Sequence, residues 1–262
     1  MKISNEYNHL NAREFLIVKR QKQYNEIIKC IKSVNANNFL KISCDVSKLG
    51  KVFYSQSDIN KAIKEKLNVL GWNERRVEYY VTDDENVTRE IINIHDKEEQ
   101  RAILESKSLK CYSTFNQIDF QKDRIAVEVQ FGKYFSVAYD LHVKHTFFYS
   151  RNDIDVGIEI IPTKAMEEHM DTGVPWFENE VSNLIREGRT NPPVPIIILG
   201  IEPNRILSSE PTNFSDAKLI EILRNSDVEK LRAKISKERN KGNINEIKLK
   251  RINKIEKCLK YV

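Results

Sequence analysis

The sequence has 262 residues, of which 40% are hydrophobic and 9% aromatic, and this composition excludes a wholly disordered chain. The 43 lysines and arginines only slightly exceed the 38 aspartates and glutamates, so the net charge of +5 is a weak indication of a polyanionic partner. The four cysteines lack the CxxC spacing of zinc sites, the N-terminus has no apolar segment, and no apolar run is long enough to span a bilayer, so we expect a cytoplasmic protein.

The first part of the chain shows helical periodicity. Apolar residues recur at helical spacing over residues 13–36, with lysine and glutamate between them, and again over 58–70, where Gly71 ends the pattern. Residues 73–113 are charged and irregular, and we expect only a turn at 82–86 followed by a short helix.

The period changes to two between residues 124 and 131, where aliphatic side chains alternate with Glu128 and Gln130. Alternate side chains of a strand point to opposite faces, so these two residues share one face while aliphatic residues anchor the other in the core. The pattern then predicts, in order, a helix over 135–148, a strand over 155–161, a helix over 174–187 and a wholly apolar strand over 195–201. This alternation of strands and helices predicts a layered α/β core.

Asp119, Glu128 and Gln130 form the candidate catalytic group. On a strand, side chains two residues apart lie on one face at about 6–7 Å along the backbone, and an aspartate from the preceding turn or a neighbouring strand can meet them. Two carboxylates and an amide supply the oxygen ligands that Mg²⁺ prefers, and such an ion can activate water against a phosphodiester. The pattern also occurs by chance, but an unneeded carboxylate on a strand inside a sheet would be costly.

Longer segments around these residues resemble restriction endonucleases of the BglII, BstYI and BamHI group. The similar segments keep the same order between residues 45 and 203. They are residues 45–50, 58–67, Trp72, 118–120, 124–131, 153–163 and 195–201.

This resemblance implies a PD-(D/E)XK nuclease fold, in which a mixed central sheet is flanked by helices. It implies a type II restriction endonuclease that hydrolyses double-stranded DNA with Mg²⁺, as a homodimer, at a short palindrome; one containing GATC is the first hypothesis. Asp119, Glu128 and the Val129 carbonyl would hold the metal, and Gln130 would orient the attacking water. Most of the superfamily has lysine at that last position, and because a neutral amide is no strong base, water activation would fall mainly to the metal.

The resemblance also implies DNA contacts outside the catalytic strand. The helix after this strand lies near the subunit interface and the DNA in that group. The candidate phosphate contacts are Lys133, Lys144, His145 and Arg151. The loop before the following helix reaches into the major groove in the group, so Asp171, Thr172 and Glu178 are candidates for reading base edges. Asp171 or Thr172 could equally be an ordinary helix N-cap.

Two further features leave alternatives open. His142 and His145, three residues apart, suggest a metal site, but contact with DNA, contact with a second subunit and plain surface placement compete with it. The resemblance also implies one more polar site residue from the helix before the insertion, and Asn73, Glu74 and Glu78 are the candidates.

The C-terminal part from Ser215 onward is helical and increasingly basic, with an apolar stripe along its helices. It is either a packed helical pair with a solvated outer face or an arm that contacts DNA or clamps a dimer. We therefore divide the chain into an endonuclease core over residues 1–213, with an insertion at about 75–113, and a basic helical extension over 214–262 packed on it.

Two other functions stay open. A nuclease of the same fold could act on DNA structure or DNA damage, because the fold alone does not fix the substrate. A catalytically silent DNA-binding protein is the other alternative, and the presence of both acidic ligands argues against it.

Overall fold

A computed structural model describes all residues from 1 to 262. The strands are β1 (Lys2–His9), β2 (Leu40–Ile42), β3 (Val52–Tyr54), β4 (Asn73–Val81), β5 (Tyr112–Lys122), β6 (Ile125–Val129), β7 (Val156–Pro162) and β8 (Ile196–Glu202). Six of them form one sheet in the order β1-β8-β7-β6-β5-β4, and β2 pairs with β3. The central strands β6, β7 and β8 are parallel and the outer ones antiparallel, which confirms the predicted mixed sheet.

Helices cover both faces of this sheet. They are α1 (Ala12–Lys19), α2 (Gln21–Ser33), α3 (Gln56–Val69), α4 (Glu85–Ile91), α5 (Lys97–Ser106), α6 (Phe135–Tyr139), α7 (Thr146–Ser150), α8 (Lys164–Glu167), α9 (Phe177–Glu187), α10 (Asp216–Arg224), α11 (Val228–Asn240) and α12 (Glu246–Cys258). A π-helical segment, Asp140–His145, joins α6 to α7, so the predicted helix over 135–148 is one rod with an irregular middle.

The hydrophobic core lies mainly on one face of the sheet. Val127, Ile158 and Leu199 from the three parallel strands belong to a single cluster of 41 buried residues, whereas Ala126 and Ile198 belong to smaller clusters on the other face. All residues of β6 and β7 are buried. Strand β6, which carries Glu128, therefore lies in the middle of the sheet, as its apolar face predicted, and its polar residues are held in a rigid frame.

The two edge strands of the sheet, β1 and β4, were not predicted from the sequence. Residues 73–81 form β4, which corrects the expectation that 73–113 is irregular, and α4 and α5 follow it. Only Val77 of β4 is buried, and only His9 of β1. An edge strand with little buried side-chain surface carries no alternating apolar signal.

The predicted first helix is two helices. Arg20 interrupts it with φ −140° and ψ 29°, values outside the helical region. The Arg20 Nε donates to the Asp123 carbonyl at 3.1 Å, in the turn before β6. The break lets α1 pack near β7 and β8 while α2 packs against α3.

The C-terminal helices α10, α11 and α12 add apolar residues to the large core cluster, so this extension is packed on the rest of the chain. A partly buried ion pair holds it in place: Arg251 donates from Nη2 to Glu210 Oε1 at 2.7 Å and from Nη1 to the Leu49 carbonyl at 3.1 Å. The division at residue 213 stays a prediction. No helix combines the length and apolar character needed to cross a membrane.

Loss of this ion pair is expected to destabilise the whole chain. Arg251→Ala should lower the free energy of unfolding in urea by about 2–3 kcal/mol, because the Glu210 carboxylate is left without its cationic partner at a place that water reaches only partly. Arg239→Ala is the control, since its exposed pair with Glu256 is worth about 0–1 kcal/mol. Equal losses in the two variants would show that the extension does not depend on Arg251.

Candidate active site

Asp119 reaches β6 because β5 is irregular at this point. Asn73 pairs with Gln121 and Arg75 with Ile118, so two residues of β5, Asp119 and Phe120, stand opposite one residue of β4. Such a bulge redirects side chains. The Asp119 Oδ2 accepts a hydrogen bond from the backbone N–H of Val129 at 3.3 Å. The sequence left open whether this aspartate comes from a preceding turn or from a neighbouring strand, and in the structure it comes from the neighbouring strand β5.

Glu128 is almost completely buried, with 1% of its surface exposed. Its Oε1 accepts from the Lys144 ammonium at 3.1 Å, and its register partner on β7 is Glu159. Burial raises the pKa of the Glu128 carboxyl well above its usual range, and the carboxylates of Asp119 and Asp140 raise it further. Negative charge is therefore concentrated around this residue.

Gln130 lies just after β6, and both ends of its amide are engaged. Its backbone N–H donates to the Ile160 carbonyl at 3.0 Å. The side-chain Oε1 accepts from the Gly132 N–H at 2.9 Å, and Nε2 donates to Asp140 Oδ2 at 2.9 Å. Because one partner is a backbone donor and the other a carboxylate acceptor, the orientation of the Gln130 amide is determined. One N–H of its Nε2 and one lone pair of its Oε1 stay free for other contacts.

Lys144 lies inside this site, where sequence reasoning expected a contact with the DNA backbone. The π-helical segment brings its ammonium to 2.7 Å from Asp140 Oδ1 and places it beside Glu128. Burial alone would lower the pKa of Lys144, but the two carboxylates outweigh burial and raise it. The spacing of four residues between Asp140 and Lys144 was the signal that could have indicated this pair.

A cavity of about 150 Å³ opens beside Asp119. It is lined by Asn60, Lys61, Lys64, Asp119, Phe120 and Val129. The Asn60 Oδ1 is buried and has no hydrogen-bond partner, which is unusual for a polar atom inside a protein. The structure thus brings a polar side chain from α3 to the site.

The candidates Asn73, Glu74 and Glu78, in contrast, all lie on β4 and do not line this cavity. Glu78 pairs with Lys97 at 2.8 Å, and the Asn73 amide donates to the Gly71 carbonyl. Glu74 approaches only Lys64 at 3.9 Å. Asn60 was missed because it lies beside the buried Ile59 within an otherwise ordinary amphipathic helix.

A comparison with known families identifies the family of this chain. Residues 4–201 match the model of the family described as restriction endonuclease BglII/BglIII. The chain belongs to this family. It is accordingly a type II site-specific deoxyribonuclease, and the resemblance seen in the sequence is confirmed.

Solved structures agree with the family on the fold. The structure titled restriction endonuclease BglII complexed with a DNA 16-mer matches with a TM-score of 0.55 and 21% identity, over 79% of this chain and 81% of that one. Free BglII matches with a TM-score of 0.50 and 18% identity, over 79% and 82% of the two chains. No curated protein matches the sequence.

The oxygen atoms at this BglII-family site fit a hard divalent cation. Carboxylate, carbonyl and amide oxygens are the atoms that Mg²⁺ binds, with water filling its other positions. Asp119, Val129 and the unpartnered Asn60 Oδ1 lie at one cavity, and the Glu128 carboxyl lies close to Asp119. A cation would also relieve the repulsion that raises the pKa of Glu128. These observations make the site suitable for a metal of this class.

The predicted histidine pair takes no part in a metal site. His142 pairs with Glu187 at 3.0 Å, and no three or more histidine, cysteine, aspartate or glutamate side chains are grouped to hold an ion. His145 is fully buried, with Nε2 at 3.3 Å from Glu159 Oε2, and burial followed by the nearby Lys144 charge lowers its pKa to about 3. The expectation that His145 contacts DNA is therefore corrected, because its neutral ring lies in the protein interior.

The other predicted contacts lie at or near the surface. Lys133 is exposed in the loop after Gly132, whereas Arg151 is mostly buried and pairs with Asp153 at 3.0 Å.

The candidate base-reading residues lie on both sides of a helix start. Thr172 is exposed, and its N–H donates to Asp171 Oδ1 at 2.9 Å. Neither residue is the N-cap of α9, which is Trp176. Glu178 is exposed in the first turn of α9, and its Oε2 accepts from the Lys164 N–H at 2.8 Å.

Proposed function

We propose that this enzyme hydrolyses double-stranded DNA at a short palindromic site, with Mg²⁺, as a homodimer. The observation that carries the proposal is the meeting of Asp119 and Asn60 at one open cavity beside the end of β6, where the Asp119 carboxylate also lies close enough to the buried Glu128 to raise its pKa. This arrangement supplies oxygen ligands at a point that a phosphodiester could reach from solvent.

In the proposed mechanism, Asp119, Glu128 and the Val129 carbonyl hold the metal, and the buried Asn60 Oδ1 adds a ligand or holds one of its waters. The bound ion would supply charge stabilisation at the phosphate and acidify a water molecule. Gln130 is fixed by Gly132 and Asp140, and its remaining amide hydrogen can orient that water. It takes no proton, because an amide is no base at neutral pH.

For DNA binding we propose that the exposed Lys133 contacts a phosphate, with Arg151 as a second candidate once its pair with Asp153 opens. Asp171, Thr172 and Glu178 are the proposed base-reading residues. The carboxylates of Asp171 and Glu178 can accept hydrogen bonds from base edges in the major groove, and the Thr172 hydroxyl can accept or donate them. A palindrome containing GATC is the first site to test. Four free cysteines fit action in the reducing cytoplasm.

A homodimer is expected because one active site per subunit cuts the two strands of a palindrome symmetrically. Sedimentation velocity at micromolar concentration, with and without a DNA duplex, should give twice the subunit mass of 30.7 kDa. A species that stays at the subunit mass in both conditions would favour a monomeric enzyme that nicks each strand separately.

Digestion of methyl-free phage DNA with Mg²⁺ tests the function directly. Discrete fragments with a common end sequence are expected. A continuous smear, or cutting confined to branched or damaged DNA, would favour a structure-directed nuclease. A protein that binds DNA and never cuts it with Mg²⁺ or Mn²⁺ would overturn the assignment of an active catalytic site.

A further inference from the structure

Asp140 and Lys144 connect the two polar residues of the catalytic strand. Lys144 donates to Glu128 Oε1 at 3.1 Å and to Asp140 Oδ1 at 2.7 Å. The other oxygen of Asp140 accepts from Gln130 Nε2 at 2.9 Å. The four side chains thus form one continuous chain of polar contacts, Glu128 to Lys144 to Asp140 to Gln130.

This line of polar contacts is largely buried. Glu128 and Asp140 are each 1% exposed, and the Lys144 side chain is 19% exposed. Buried ion pairs often stabilise a fold less than apolar residues of the same size, because desolvation offsets their attraction. Stability alone therefore gives no reason for three charges at this place.

The backbone is also unusual here. Asp140 to His145 is a π-helical segment, a rare form that is common at functional sites. Both members of the pair lie on this segment, so it fixes how far they project toward β6.

We propose that Asp140 and Lys144 are positioning residues for DNA cleavage: Asp140 holds Lys144 against Glu128 and, through its second oxygen, holds the Gln130 amide. This role rests on the proposed function, since it acts through residues placed at the metal and at the attacking water. Neither residue needs to touch DNA.

The two charges have opposite effects on a cation. The Lys144 ammonium occupies one oxygen of Glu128, so it competes with a divalent ion that approaches the same carboxylate. The Asp140 carboxylate adds negative charge to the site and draws part of the Lys144 charge away from Glu128. Removing Lys144 should therefore strengthen metal binding, and neutralising Asp140 should weaken it.

The test measures cleavage and metal binding separately on the same variants. Single-turnover cleavage with Mg²⁺ should fall about tenfold to a hundredfold in both Lys144→Met and Asp140→Asn, the size of effect expected when a reactive group is misplaced. Calorimetric titration of Ca²⁺ into the protein without DNA should give about tenfold tighter binding for Lys144→Met and looser binding for Asp140→Asn.

Two further variants complete the design. Lys144→Arg keeps the positive charge, so it should recover part of the cleavage rate and bind Ca²⁺ as wild type does. If Lys144→Met does not fold, the single variants Lys144→Arg and Asp140→Asn provide the test. Lys218→Met removes an ammonium from an exposed pair with Glu221 and should change neither measurement. Thermal melts of every variant check folding.

The proposal is overturned if a folded Lys144→Met or Asp140→Asn cleaves at the wild-type rate. It is also overturned if the two variants shift Ca²⁺ affinity in the same direction, because a purely structural role would loosen the site in both. A wild-type protein that cuts no DNA would instead overturn the proposed function, and with it this role in cleavage.

Discussion

Asp119→Asn and Glu128→Gln are each expected to lower the single-turnover rate of DNA cleavage by at least about a thousandfold, equivalent to about 4 kcal/mol. Each substitution keeps the size of the side chain and removes one negative charge from the proposed metal site. The bulge that aims Asp119 and the buried strand that carries Glu128 are formed by backbone contacts, so they should persist.

DNA binding in Ca²⁺ provides the control for this prediction. A gel-shift assay should detect binding by both variants, because the proposed DNA contacts lie elsewhere. Cleavage within about tenfold of the wild-type rate by either variant would remove that residue from the metal site.

Glu128→Gln should also leave the fold at least as stable as wild type. Burial and neighbouring carboxylates raise the pKa of Glu128 in the folded state, so the folded protein binds more protons than the unfolded chain above the ordinary value of 4.5. Wild-type stability should therefore decline as the pH rises from about that value. The variant should lose this part of the pH dependence, which urea titrations at several pH values would measure. A marked loss of stability would indicate a structural role for Glu128.

Gln130→Glu is expected to lower the cleavage rate by at least about a hundredfold, because it brings a second carboxylate against the buried Asp140. In the wild type, Gln130 Nε2 donates to that carboxylate at 2.9 Å. Gln130→Ala should show a similar loss, because the water-orienting amide is absent.

The double variant Gln130→Glu with Asp140→Asn distinguishes repulsion from loss of the amide. It places an amide opposite the new carboxylate, so the donor and acceptor exchange places and about tenfold of the rate should return. Single-turnover cleavage with Mg²⁺ and with Mn²⁺ measures this recovery. Wild-type rates for Gln130→Ala would exclude Gln130 from the site, and additive losses in the double variant would exclude its coupling to Asp140.

The sequence contained most of the information about the central strands. Alternation over residues 125–129 placed Glu128 inside a sheet, and continuous apolar residues marked β8 as buried on both faces. Such patterns are local, since they record only whether a side chain faces the core. For the same reason β1 and β4 were missed, because edge strands bury few side chains and leave little pattern to read.

By itself, then, the sequence determined the family, the mixed α/β core and the candidate group Asp119, Glu128 and Gln130. The roles of these three residues stay predictions. Tertiary structure decided which other residues meet that group. Asn60 arrives on α3, Lys144 arrives on a π-helical segment, and His145 turns into the interior against Glu159. Helical spacing tells which residues share a face, but the direction of that face depends on how the helix packs against the sheet, and contacts distant in sequence determine that packing.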